Sequence, residues 1–153
     1  MQEGTVPETS IKLVIPSEVK LVDLVHTASE KMAELAGFDG DEALNVGLAV
    51  RETVINAIVH GNHQDPGLTV DVTLTAGEDA LEARVRDQGP GFDPEGTADP
   101  TEHDNLLRTS GRGLLLIRAF VDDVVFERAE DRGMQVTLTK RRNQGGDPTE
   151  SDS

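Results

Sequence analysis

The chain has 153 residues, 36% of them hydrophobic, and its 14 Lys plus Arg against 29 Asp plus Glu give a formal net charge of -15. That length suits one domain with a real core rather than two packed domains. The negative charge argues against direct, sequence-independent nucleic-acid binding and fits a basic protein partner or simple solubility, while the absence of cysteine excludes disulfides, thiol catalysis and thiolate metal sites.

Residues 1–9 are polar and read as a flexible N-terminus. They carry no basic region followed by an apolar run, and nowhere do 18 apolar residues occur together, so a soluble, cytoplasmic protein with no membrane segment is expected. Ser10 to Ile15 alternates and ends at Pro16, a first strand. Ser17 has the character of a helix N-cap with Glu18 in the first turn, and Val19, Val22, Val25 or His26, Ser29, Met32 and Leu35 trace one face of the helix up to Gly37. Asp39 and Glu42 have the side-chain types of a capping box, from which a second helix runs to about His60, with Gly61 and Asn62 able to take positive φ and stop it.

That second helix carries the first informative stretch. Leu48, Val54 or Ile55, and Ile58 or Val59 form its apolar face, while Glu52, Asn56 and His60 fall four apart and share the opposite stripe. Taken alone, the stripe is ordinary solvated helix surface. His60 and His63 have a spacing seen in zinc sites, but no third ligand accompanies them.

Beyond Pro66 and Gly67, Leu68 to Leu74 and Ala80 to Val85 read as two antiparallel strands joined by the Gly77-Glu78-Asp79 turn. On the first of them Thr69, Asp71, Thr73 and Thr75 imply a wetter sheet face. Asp87-Gln88-Gly89-Pro90-Gly91 follows directly: its glycines remove side chains where backbone approaches a flat ligand, and Asp87 offers an acceptor for an exocyclic amine. Residues 89–112 form a long loop with little periodicity, the kind that serves as a functional lid. Thr109-Ser110-Gly111-Arg112-Gly113-Leu114 then opens a helix that runs from Leu114 to Phe120, and backbone N–H groups at such a helix start favour an anion. Val124 to Glu127 and Met134 to Thr139 close the domain as a hairpin around Asp131-Arg132-Gly133. Residues 141–153 read as a disordered acidic tail, leaving residues 10–140 as the folded unit. The order of elements predicts an α+β, two-layer sandwich: a mostly antiparallel, mixed sheet covered on one face by three helices.

The three stretches, in this order, resemble the N box and the two glycine boxes of the GHKL (Bergerat-fold) ATP-binding family. The likeness spans about Ile11 to Lys140. Within that family, the short stand-alone form is similar to the anti-sigma-factor serine kinases. The resemblance implies Mg²⁺ and ATP as cofactors, with Asn56 as metal ligand and Glu52 as general base. It implies that Asp87 accepts from the adenine amino group and that Gly89 and Gly91 close on the base. Gly111 and Gly113, with Thr109, Ser110, Arg112 and Leu114, would line the phosphates, and His60 would help the pocket. It further implies two partners, a STAS-domain anti-anti-sigma protein phosphorylated on serine and a sigma factor that is sequestered, together with a possible homodimer. The alternative is a GHKL module that binds ATP and switches partners without transferring phosphate; a carboxylate at Glu52 favours the enzyme.

Overall fold

A computed structural model of the chain describes residues 8–89, 112–129 and 132–142. Gly91, Thr109, Ser110 and Gly111, nearly all of the long loop, and residues 143–153 of the tail lie outside the described residues.

Five strands form a single sheet: β1 (Thr9–Pro16), β2 (Thr69–Ala76), β3 (Ala80–Arg86), β4 (Asp123–Arg128) and β5 (Met134–Arg141), in spatial order β1-β2-β3-β5-β4. All four pairings are antiparallel, so none of the parallel pairing that a mixed sheet implies occurs among the described strands. Three α-helices pack on one face: α1 (Val22–Leu35), entered through a 3₁₀ turn at Val19–Leu21, α2 (Gly40–Asn56) and α3 (Arg112–Phe120). This is the expected two-layer α+β sandwich.

Period-two patterning explains the sheet. Along β2, Val70, Val72, Leu74 and Ala76 are buried, while Thr69, Asp71, Thr73 and Thr75 sit half-buried on the uncovered face. Leu81, Ala83 and Val85 of β3 and Leu138 of β5 extend the apolar surface beneath the helices. From the helix layer Val22, Val25, Val46, Val50, Val54 and Ile58 meet it, all 2% exposed or less. Each such side chain contributes about 1.5–3 kcal/mol by leaving water. Ser29 and Thr53 are buried on the same side, and each hydroxyl donates to the carbonyl one turn earlier, Val25 and Ala49 respectively.

The capping box forms as read: Glu42 N–H donates to Asp39 Oδ1 at 2.8 Å, and Asp39 N–H donates to Glu42 Oε1. Several local readings are corrected. Ser17 caps no helix; its hydroxyl donates to Leu68 O at 2.8 Å, tying the end of β1 to the start of β2. Val19 and Leu35 lie off the buried stripe of α1, Leu35 being 74% exposed. Gly61 and Asn62 do not take positive φ, which falls instead on His63 (53°) and Gln64 (59°). Helix α2 stops as an α-helix at Asn56, and the chain continues through one π-helical turn, Ala57–Gly61, closed by Asn62 N–H donating to Ala57 O. Strand β5 extends to Arg141, into the segment expected to be loose tail.

Candidate functional site

The expected site residues are ordered along the end of α2 and the π-helical turn that follows it. Glu52 lies opposite the N-terminal turn of α3, close enough that a Cβ on Gly113 would come within 2.8 Å of the Glu52 carboxyl carbon. Asn56 is one turn further along. At Gly61 the helix meets Asp87, whose Cγ would lie 2.5 Å from a Cβ there. From Glu52 to Gly61 the chain advances about 13 Å at ~1.5 Å per residue. This segment thus runs between the two glycine-bearing stretches singled out in the sequence, touching the second at Gly113 and the first at Asp87.

Asp87 is 6% exposed, directly after β3. Its Oδ1 accepts two backbone hydrogen bonds, from Gly89 N–H at 3.1 Å and Met134 N–H at 3.0 Å. Burial pushes its carboxyl up from the ordinary value, opposed by those two N–H groups and by the charges of Arg86 and His63. Its Oδ2 makes no hydrogen bond with a described residue. A buried carboxylate with one oxygen saturated and the other unused is a fixed acceptor, which fits the exocyclic amine of a purine.

The turn around Asp87 is held from three sides. Asp87 N–H donates to Met134 O, and Arg132 Nε donates to Gly89 O at 3.1 Å. Gln88 N–H donates to Asn62 Oδ1 at 2.8 Å, and Gln88 Oε1 accepts from both Thr69 N–H and Thr69 Oγ1. Two glycines are required by contact. A Cβ on Gly89 would run into the Gly61 carbonyl, and one on Gly133, which sits at φ 90°, would run into the Asp87 carbonyl and come within 2.8 Å of Asp87 Oδ1. On its outer side the turn borders a hollow of about 420 Å³ lined by Leu68, Asp71, Arg86, Gln88 and Arg132.

At the other end the side chains are less committed. Glu52 and Asn56 are half-buried, and neither makes a hydrogen bond with a described residue. Asn56 supplies a hard carbonyl oxygen of the kind Mg²⁺ takes. No group of three or more His, Cys, Asp or Glu among the described residues makes a metal cage, which leaves no zinc site at His60 and His63 there. A single protein oxygen fits a cation whose remaining ligands are phosphates and water. His60 is exposed on the π-helical turn, whose wider winding breaks the four-residue repeat that aligned it with Asn56. Gly113 and Leu114 are both buried at the start of α3; of Arg112 only the backbone is described.

Sequence reasoning missed Gln88, Arg132, the contact of Gly133 with Asp87 and the use made of Asn62. Their partners lie 19 to 47 residues away, so no local pattern marks them.

No described helix is long and apolar enough to cross a membrane. The family model for the histidine kinase-like ATPase domain matches residues 15–140. Among curated proteins, the serine-protein kinase RsbW of Listeria monocytogenes serovar 1/2a is 32% identical over 142 residues, covering 88% of each chain. The serine-protein kinase RsbW of Halalkalibacterium halodurans is 31% identical over 140 residues, covering 88% of this chain and 83% of its own. That of Bacillus cereus strain AH187 is 30% identical over 139 residues, covering 85% and 83%.

Proposed function

The chain belongs to the histidine kinase-like ATPase family, and on that premise we propose that it is an ATP-dependent serine kinase of anti-sigma type. It phosphorylates a serine on a STAS-domain anti-anti-sigma protein and, in alternation, sequesters a sigma factor. The carrying observation is the order of polar groups along the end of α2: at one end a buried carboxylate whose Oδ2 has no hydrogen-bond partner among the described residues, at the other a carboxylate and a carboxamide one helical turn apart that have none among them either. The serine-protein kinase names of relatives matching most of their own length support the same reading.

Each residue then has a task. Asp87 Oδ2 accepts from the adenine amine, and Gly89 brings backbone against the base. Asn56 holds Mg²⁺ through its amide oxygen. Backbone N–H groups at the start of α3, from Arg112 to Leu114, favour the phosphates, and Gly111, outside the described residues, is given the same role by the sequence resemblance. When bound, Mg-ATP supplies the transferable phosphoryl group and most of the charge neutralisation, so positioning is what the protein must provide. Glu52 takes the proton of the incoming serine hydroxyl as the new O–P bond forms and the β,γ-bridging bond breaks. Negative surface charge suits a basic sigma-factor segment.

A ligand that binds only the folded state at a hundred times its Kd stabilises it by about 2.7 kcal/mol. Mg-ATP is therefore expected to raise the melting temperature by several degrees, and Asn56→Ala to abolish the rise. Absence of any rise in the parent protein overturns the nucleotide reading.

A further inference from the structure

The residue that fastens the Asp87 turn to the end of the Glu52 and Asn56 helix has none of the roles above. Asn62 is 1% exposed, and its side-chain amide is satisfied on both sides by three different segments. Nδ2 donates to Ser17 Oγ at 2.8 Å and to Thr69 O at 3.0 Å. Oδ1 accepts from Gln88 N–H at 2.8 Å. The orientation of the amide follows from these partners, because a backbone carbonyl can only accept and a backbone N–H can only donate. Ser17 is fixed in turn, its hydroxyl donating to Leu68 O. Asn62 also ends the π-helical turn through its own N–H.

We propose that Asn62 is a positioning residue for the purine: it locks the peptide between Asp87 and Gln88 to the end of the N-box helix. This rests on the nucleotide reading. One nucleotide must reach Asn56 at its metal end and Asp87 at its base end, so the spacing between helix and turn decides whether both are satisfied together. Among the described residues, the hydrogen bonds that tie Asp87 and Gly89 to other segments run to the β5 side, through Met134 and Arg132. The Asn62 bond to Gln88 N–H is the described hydrogen bond between the segment ending α2 and that turn. In this register the π-helical turn has a use: it carries Asn62 inward rather than letting the helix run on past the turn.

The test measures dissociation constants of Mg-ATP and Mg-ITP for the parent, Asn62→Ala and Ser17→Ala, beside their melting temperatures. ITP has a carbonyl where ATP has the amine and so offers Asp87 no donor at that position. Asn62→Ala is expected to weaken ATP about tenfold, the scale of a lost buried hydrogen bond, and ITP less than twofold. Ser17→Ala removes one anchor of the amide and is expected to weaken ATP about threefold with ITP almost unchanged, a smaller narrowing of the ATP-to-ITP ratio in the same direction. A folded Asn62→Ala that binds ATP like the parent, or loses ATP and ITP equally, overturns the proposal. If Asn62→Ala does not fold, Ser17→Ala decides: an unchanged ATP-to-ITP ratio overturns it and a narrowed one supports it. Failure of the parent to bind Mg-ATP is a different result and overturns the nucleotide reading itself.

Discussion

The Asp87 end and the Glu52 end of the site, which the proposed reading gives to the base and to the phosphates, are built differently. Around Asp87, backbone and side-chain groups are paired across four segments, and the buried carboxylate has one oxygen without a hydrogen-bond partner among the described residues. Around Glu52 and Asn56, polar groups stand half-buried and unpaired among the described residues. A rigid acceptor suits recognition, which needs the same geometry each time. Uncommitted oxygen atoms suit steps in which a cation, a phosphate and a substrate hydroxyl arrive and leave. Substitutions of Glu52 and of Asp87 should therefore separate, with turnover lost at the first and nucleotide affinity at the second, while Asn56, as the metal ligand, serves both.

The largest effect is expected at the phosphate end. Glu52→Gln should lower phosphoryl transfer about 10²- to 10⁴-fold while leaving the ATP dissociation constant within about twofold, which single-turnover assays beside equilibrium binding would show. A matching loss of affinity would erase the division of labour. Next comes Gly89→Ala, whose Cβ would run into the Gly61 carbonyl. It should cost about 1–3 kcal/mol of stability, read by denaturant unfolding, and weaken ATP at the same time.

Asp87→Asn should weaken ATP about tenfold while raising stability near neutral pH. The sign follows from the shift. Burial raises the folded-state value above 3.8, so the unfolded chain loses this proton first and the ionised carboxylate costs stability as pH rises through that window. The parent should lose more stability than Asp87→Asn as pH climbs from about 4 towards neutrality. Equal pH profiles would mean that Asp87 is not buried as described. The smallest effect is expected outside the site. Arg51 pairs with exposed Asp23 across α1 and α2, and that contact holds the Asp23 carboxyl below its usual range. Arg51→Ala should cost less than about 1 kcal/mol, with ATP affinity unchanged.

Readability from sequence divides along the same line. Where structure is local, the residues announced it. The capping box at Asp39 and Glu42 formed, the Gly77-Glu78-Asp79 turn joined β2 to β3, and alternate residues of β2 were buried as their pattern required. The Glu52 and Asn56 pair was visible because helical spacing puts them on one stripe. The scaffold of the base end was not visible. Ser17 resembled a helix cap, but its hydroxyl is used 51 residues away. Asn62 resembled a helix stop, but its side chain spans 45 residues in one direction and 26 in the other. Gly133 was placed correctly in a turn, yet its positive φ serves a contact with Asp87 that only the β3–β5 pairing creates. Periodicity reports which face a residue takes, not which distant backbone group it will meet.

The central claim is phosphoryl transfer to a protein serine. Incubating the full chain with Mg²⁺, γ-labelled ATP and each purified STAS-domain protein from the same genome tests it directly. Label is expected on one serine of one such protein, with none when Glu52 is replaced although Mg-ATP still raises the melting temperature of that variant. A parent protein that is stabilised by Mg-ATP yet labels none of them would contradict the account and leave a module that binds nucleotide without transferring it.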